Sequence, residues 1–151
     1  MTARDRKHSS PSDDGAYRLE DQVGHLLRRA HQRATAIFLD RIHDAQITPT
    51  QFATLAKLVD EGELSQNHLG RLTAMDPATI QGVTRRLKAR GLIAGRADPK
   101  DGRRILLSLS AKGARLAKNM IPEGFGVSEG ILEPLSDRER KQFLRLLKQL
   151  T

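Results

Sequence analysis

The side chains with the most evident binding chemistry are arginines, lysines and small polar residues in the segment 65–110. Within it, a helix predicted to begin at Asp76-Pro77 has Ile80, Val83 and Leu87 at helical spacing, so one of its faces is apolar. The other face suits the major groove of DNA, because Thr and Gln can contact base edges and Arg can contact guanine or phosphate. The residues predicted on that face are Ala78, Thr79, Gln81, Gly82, Arg85 and Arg86.

A shorter helix is predicted immediately before this one, with Ser65 at its start. Ser65, Gln66 and Asn67 stand at its N-terminus, where side chains and free backbone N–H groups suit a phosphate. We therefore predict that these three residues contact the DNA backbone.

A β-hairpin is predicted after the two helices. Apolar residues in the segments 92–94 and 104–109 flank a turn-rich connection, and the second segment alternates with the period of a strand. The tip carries Lys100, Arg103 and Arg104, and an arginine there can enter the narrow minor groove. Asp98 and Asp101 lie beside them, and we interpret both as hydrogen-bonding partners that cap the turn and orient the guanidinium groups.

Long helices are predicted on both sides of this segment. From Leu19 to about Ile42, apolar residues recur every three or four positions, which indicates one amphipathic helix whose length requires a neighbouring helix or a second subunit. Pro122 interrupts a predicted helix over residues 110–133, so we expect a kink or a break there.

Capping boxes begin two further helices, at residues 48–51 and 136–139. The charged face of the first helix carries Arg28, Arg33, Asp40 and Arg41, and the last helix has Phe143, Leu146, Leu147 and Leu150 on one face.

The composition favours a nucleic-acid-binding protein over an enzyme. The 151 residues include 26 Lys and Arg against 18 Asp and Glu, which gives a formal net charge of +8. There is no cysteine, so disulfides, thiolate metal sites and cysteine-based sensing are excluded. The five histidines have no metal-site spacing, and the sequence lacks a P-loop, a G-x-S-x-G motif and a dinucleotide fingerprint. We expect no catalytic activity, no cofactor and no metal.

The sequence also indicates where the protein resides. No apolar segment approaches the ~18–20 residues that span a bilayer, and the N-terminus has no hydrophobic signal core. We therefore expect a cytoplasmic protein that does not enter a membrane. Residues 1–16 are polar and are predicted to form a disordered arm, with Arg4, Arg6 and Lys7 as alternative contacts to phosphates or to a partner subunit.

These features resemble the MarR family of winged helix-turn-helix regulators over roughly residues 19–150, most specifically in the hairpin and the residues after it, DPKDGRRILLSLSAKG. The resemblance implies a homodimer built from the first and last helices, with two winged domains on a palindromic operator. It places Arg103 as the wing-tip arginine that enters the minor groove and Asp101 as the acidic residue that positions it. Residues 17–32 are similar to the corresponding segment of a subgroup that represses nicotinate catabolism. The sequence of this segment is YRLEDQVGHLLRRAHQ.

The predicted fold is therefore mainly α with a small β-hairpin wing. Its predicted parts are a disordered arm (residues 1–16), a dimerisation helix (17–47), a winged helix-turn-helix DNA-binding domain (48–110) and C-terminal dimerisation helices (111–151).

The resemblance also implies an effector, a small aromatic carboxylate such as 6-hydroxynicotinate, bound between the dimerisation helices and the winged domain. Such a ligand needs a cation, hydrogen-bond donors and an apolar wall. Candidates for the polar contacts are His25, Arg29 and Gln32, and candidates for the wall are Phe38 and Phe52. Structural alternatives stay open for each, with Arg29 in a salt bridge and the two phenylalanines in the core.

The predicted function is a DNA-binding repressor that binds a palindromic operator as a homodimer and is released by the effector. One alternative is an architectural DNA-binding protein with no ligand. Another is a helical adaptor whose basic face binds an acidic protein.

Overall fold

The computed structural model describes residues 15–151 and contains six α-helices and a small antiparallel sheet. This confirms the mainly α fold with a hairpin wing. Residues 1–14, which include Arg4, Arg6 and Lys7 of the predicted arm, lie outside the described part. The elements in chain order are α1 Val23–Arg41, α2 Pro49–Glu61, β1 Leu64–Ser65, α3 Gln66–Leu72, α4 Pro77–Ala89, β2 Ile93–Asp98, β3 Asp101–Leu109, α5 Ala111–Leu132 and α6 Asp137–Leu147.

The first helix begins later than the sequence pattern predicts. A separate 3-10 turn, Leu19–Asp21, precedes α1, and the two are divided by Gln22, whose backbone is extended. The apolar spacing continues through this junction, which is why the sequence alone indicated a single helix.

The hairpin is confirmed, and it belongs to a three-stranded sheet of order β1-β3-β2. The two-residue strand β1 was not predicted. It pairs with β3, with Leu64 opposite Leu107 and Ser65 opposite Leu106. Two residues are too few to show the alternation that identifies a strand, so only the pairing with β3 defines this one.

One apolar core holds the sheet and the ends of several helices together. Leu55 of α2, Leu69 of α3 and Leu87 of α4 are completely buried in it, and Leu107 of β3 is 1% exposed. Within the winged unit, residues 48–110, the apolar face of α4 is therefore oriented by packing against α2, α3 and β2.

Helix α5 is continuous through Pro122, so of the two outcomes expected there a break is wrong. Proline removes one helical hydrogen bond, but neighbouring positions on α5 are anchored, since Met120 and Val127 are buried on either side of it. Packing against α1 and α2 therefore supports the helix where its own hydrogen-bond ladder is incomplete.

Helices α1 and α5 lie side by side in opposite directions. Arg33 donates hydrogen bonds to the carbonyl oxygens of Ile131 (2.7 Å) and Gly130 (3.1 Å), in the last turn of α5. Eight residues further along α1, Arg41 donates to the carbonyl of Gly126 at 2.5 Å. A helix C-terminus has free carbonyl groups and partial negative charge, so Arg33 stabilises this end of α5.

Helix α6 begins at the predicted capping box, in which Ser136 and Glu139 exchange hydrogen bonds. It is joined to α5 by Arg140, which donates to Glu129 at 2.8 Å. No residue of α6 is buried in the single chain. Between residues 15 and 151, no helix combines the length and apolar character needed to cross a membrane.

Candidate nucleic-acid interface

Helix α4 presents a polar face outward because its apolar face is buried. Ile80, Val83 and Leu87 are 1%, 3% and 0% exposed, respectively. Asp76 caps the helix by accepting hydrogen bonds from the Thr79 backbone (2.8 Å) and hydroxyl (2.9 Å). The structure leaves Gly82 half-buried and the other predicted DNA-facing residues exposed, namely Ala78, Thr79, Gln81, Arg85 and Arg86.

The cap of α4 is stable at neutral pH. Hydrogen bonds from the backbone and side chain of Thr79 hold the pKa of Asp76 below its ordinary value. A carboxylate with a lowered pKa contributes stability above its ordinary pKa and loses it as the pH falls through the lowered value. The N-terminus of α4 is therefore fixed throughout the physiological range.

A polar cleft of about 350 Å³ separates the start of α3 from the wing. Ser65 caps α3, its hydroxyl accepting from the backbone N–H of His68 at 3.4 Å. Arg71 was missed by sequence reasoning, because only the folded chain brings the last turn of α3 beside the wing. The lining combines predicted phosphate contacts and wing residues, namely Ser65, Gln66, Asn67, Arg71, Arg103, Arg104 and Ile105.

The wing tip extends its cations into solvent and orients them with nearby carboxylates. The Arg103 side chain is 97% exposed, and its Nε lies 3.7 Å from Oδ1 of Asp101, which also accepts from the Arg103 backbone N–H. Arg104 lies 3.8 Å from Asp98, and Asp98 accepts from the Lys100 backbone. These contacts are consistent with the predicted capping of the turn, and they leave the donors of Arg103 available.

The base of the wing is fixed by an ion pair that the sequence did not reveal. Arg96 of β2 donates two hydrogen bonds to Glu63, at 2.6 and 2.7 Å. These bonds lower the pKa of Glu63 and raise that of Arg96. A bidentate pair restricts both side chains, so it ties β2 of the wing to the connection between α2 and β1.

A second pair, together with a hydrogen bond from Lys112, joins the end of α4 to the α1–α2 connection and to the start of α5. Arg90 donates to Asp44, in the α1–α2 connection, at 2.8 Å, and Lys112 of α5 donates to the Arg90 carbonyl at 3.0 Å. Burial raises the pKa of Asp44, but the hydrogen bonds from Arg90 and from the Gln46 backbone outweigh it, and the pKa lies below its ordinary value.

The five candidate ligand residues do not form one cluster in a single chain. Phe38 is buried and packs edge-on against Phe52, with ring centroids 5.6 Å apart. His25, Arg29 and Gln32 lie on the N-terminal half of α1, where His25 is half-buried and the other two are exposed. Phe52 also lines a small cavity next to Phe125 of α5. Across residues 15–151 no group of three or more acidic or histidine side chains is placed to bind a metal.

A short helix, a second helix presented outward and a basic β-hairpin together define a winged helix-turn-helix protein. Comparisons with known proteins agree, since the model of the MarR family matches residues 45–104, which run from the α1–α2 connection to the wing arginines.

Similar proteins extend the match beyond the winged unit. The HTH-type transcriptional repressor NicR of Pseudomonas putida is 43% identical over 150 residues, which cover 99% of this chain and 95% of NicR. The chain therefore belongs to the MarR family of transcriptional regulators.

Solved structures show the same similarity. A probable transcriptional regulator from Pseudomonas aeruginosa is 46% identical, with a TM-score of 0.86 over 89% of this chain and 100% of that one. BpsR of Bordetella bronchiseptica, whose DNA binding is regulated by 6-hydroxynicotinic acid, is 40% identical, with a TM-score of 0.86 over 90% of this chain and 97% of BpsR.

Replacing Gly82 by alanine should separate stability from DNA binding. A Cβ at Gly82 would meet only the end of the Arg86 side chain, at 3.5 Å, so the protein itself has room for it. Alanine should raise the free energy of unfolding by about 0.5–1 kcal/mol, because glycine is unfavourable inside a helix. It should nevertheless weaken duplex binding, because the added methyl group would lie on the face of α4 that we predict to approach the bases. Denaturant unfolding measures the change in stability, and a DNA titration measures the change in affinity. Gly126→Ala serves as the control, because a Cβ at this position of α5 meets no atom within 4 Å. Unchanged DNA affinity would show that Gly82 does not face the duplex.

Arg103→Ala should weaken operator binding about 5- to 100-fold, the range for loss of one arginine contact in a groove. The expectation follows from its nearly complete exposure at the wing tip. Arg28→Ala, an exposed arginine on α1, removes the same charge far from the wing and should have little effect. Equal affinities for the two variants in a fluorescence-anisotropy titration would remove the wing from the binding mechanism.

Proposed function

We propose that the protein is a cytoplasmic transcriptional repressor that binds a palindromic operator as a homodimer and is released by a small aromatic carboxylate. The observation that carries the DNA-binding part is the polar cleft in which the start of α3 meets the wing arginines Arg103 and Arg104. Arg85 and Arg86, exposed on the outer face of α4, are further free donors on the next helix of the same unit. Base edges, backbone phosphates and a minor groove are their natural targets.

A second copy of the chain would cover the apolar surface that the single chain leaves exposed. On α1, Val23, Leu26 and Leu39 are 68%, 48% and 58% exposed. On α6, Phe143 and Leu146 are 40% and 42% exposed. Clustered apolar surface of this kind marks an interaction site, and its position at both ends of the chain supports a dimer built from α1, α5 and α6.

A titration against DNA tests this function and separates it from the two alternatives. A palindromic duplex from the genomic neighbourhood of the gene should bind much more tightly than a random duplex, with affinity falling steeply as salt rises. Equal affinity for both duplexes would favour an architectural protein. No binding to either would favour an adaptor for an acidic protein. Sedimentation of the free protein as a monomer at the concentrations used would contradict the dimer.

A groove of about 850 Å³ between α2, β3 and α5 is our candidate for the effector site. Leu58, Leu109 and Ile121 are among its lining residues and supply an apolar wall, while Lys118 supplies a cation. An aromatic ring with a carboxylate matches that combination. The regulation of BpsR by 6-hydroxynicotinic acid supports a hydroxylated nicotinate as the first compound to test.

The polar candidates on α1 would reach this groove only from the partner subunit. Arg33 already lies at the last turn of α5, so residues 23–32 of α1 continue past the end of α5 in their own chain. At about 1.5 Å per residue this half of the helix extends ~15 Å further. His25, Arg29 and Gln32 therefore lie beyond the end of α5 and outside the lining of the groove of their own subunit. We propose that each effector site combines α2 and α5 of one subunit with α1 of the other.

Mixed dimers test this arrangement. Arg29→Ala and Lys118→Ala homodimers should each bind operator but lose release by 6-hydroxynicotinate. A heterodimer with one variant in each subunit keeps one intact site if the site is shared between subunits, and none if it lies within one subunit. Recovered ligand binding in the heterodimer, measured by calorimetry, is the expected result. Absence of recovery would place the site within one chain, and failure of the unmodified protein to bind any pyridine or benzene carboxylate would remove the effector from the proposal.

A further inference from the structure

Thr84 is a polar residue on the buried face of α4, where it is 2% exposed. Its hydroxyl oxygen lies 3.0 Å from Oε1 of Gln66 on α3. It also lies 2.9 Å from the carbonyl of Ile80 and 3.1 Å from that of Gln81. A hydroxyl group has one proton, so these three acceptors compete for it.

The side-chain oxygen of Gln66 needs that proton most. The carbonyls of Ile80 and Gln81 lie inside α4, where each already accepts the helical N–H four residues later. Within residues 15–151 the structure gives Oε1 of Gln66 no other donor. The arrangement that satisfies all three oxygens is the one in which Thr84 donates to Gln66.

This bond determines which end of the Gln66 side chain is free. With Oε1 held against α4, the amide nitrogen lies on the other side of the planar carboxamide and has no protein acceptor in the described part of the chain. Gln66 lines the cleft between α3 and the wing, and Asn67, Arg71 and Arg103 line it too. The side chains around this amide are mainly donors, so the missing partner is an acceptor supplied from outside, such as a phosphate oxygen.

We propose that Thr84 is a positioning residue for DNA binding. It makes no contact with DNA, but it holds the Gln66 carboxamide so that the NH₂ group donates to a backbone phosphate in the cleft. The proposal rests on the DNA-binding function proposed above, and it assigns to a buried residue of α4 an effect on a contact made by α3.

The first test removes the hydroxyl and keeps the shape. Thr84→Val should weaken operator binding about three- to tenfold, the range of one hydrogen bond's net contribution, while Thr84→Ser should retain most of the affinity. Thr54→Val is the matched control. Thr54 is also fully buried, and its hydroxyl donates to the carbonyl four residues earlier at 2.9 Å, but it lies on α2. Affinity equal to that of the unmodified protein in Thr84→Val would overturn the proposal.

A double-mutant cycle with Gln66→Ala shows whether Thr84 acts through Gln66. Gln66→Ala alone should weaken binding, and adding Thr84→Val to it should cause no further loss. An equal further loss would mean that Thr84 acts on α4 itself, and an inert Gln66→Ala would also overturn the proposal. Thermal unfolding of each variant confirms that it is folded. Failure of the two proposals can be told apart. If the unmodified protein binds no operator, the proposed function is wrong. If it binds operator but Thr84→Val does not change the affinity, only the role of Thr84 is wrong.

Discussion

Burial of one side of α4 is the constraint on which the rest of the structure depends. Ile80, Val83 and Leu87 pack into the core shared by α2, α3 and the sheet, each with 3% exposure or less. Because side chains repeat every 3.6 residues around a helix, these three positions determine which residues face outward. Apolar packing of α4 alone therefore determines that its candidate DNA-contacting side chains face outward.

Four arginines of the winged unit lie within 4.0 Å of a carboxylate, and the distances divide them into two groups. Arg90 and Arg96 make hydrogen bonds of 2.6–2.8 Å to Asp44 and Glu63, and these bonds fix the end of α4 and the base of the wing. At the wing tip, Arg103 lies 3.7 Å from its carboxylate, so it is oriented without being neutralised. The short, hydrogen-bonded ion pairs hold the elements of the winged unit together, and the longer pairs leave the arginines available to an anionic partner.

The winged unit packs around an apolar core, whereas the helical part of the chain leaves large apolar side chains exposed. Helix α5 is supported on its own side by α1 and α2, yet the first half of α1 and all of α6 lack a buried residue. In a chain of this size such surfaces gain most by pairing with the same surfaces of a second copy. A dimer of that kind would set the distance between two winged units through α1, α5 and α6, and so would link any change in their packing to the spacing of the DNA contacts.

The sequence by itself determined the local elements. The caps at Thr48, Asp76 and Ser136 use hydrogen bonds within three residues, and the apolar face of α4 follows from spacing alone. Tertiary structure decided what depends on distant partners: the pairing of β1, the continuity of α5 through Pro122 and the place of Arg71 in the cleft. The pair Asp44–Arg90 joins residues 46 positions apart, and Glu63–Arg96 joins residues 33 apart. Neighbouring residues encode short-range hydrogen bonds, but contacts across such separations exist only after the core has brought the elements together.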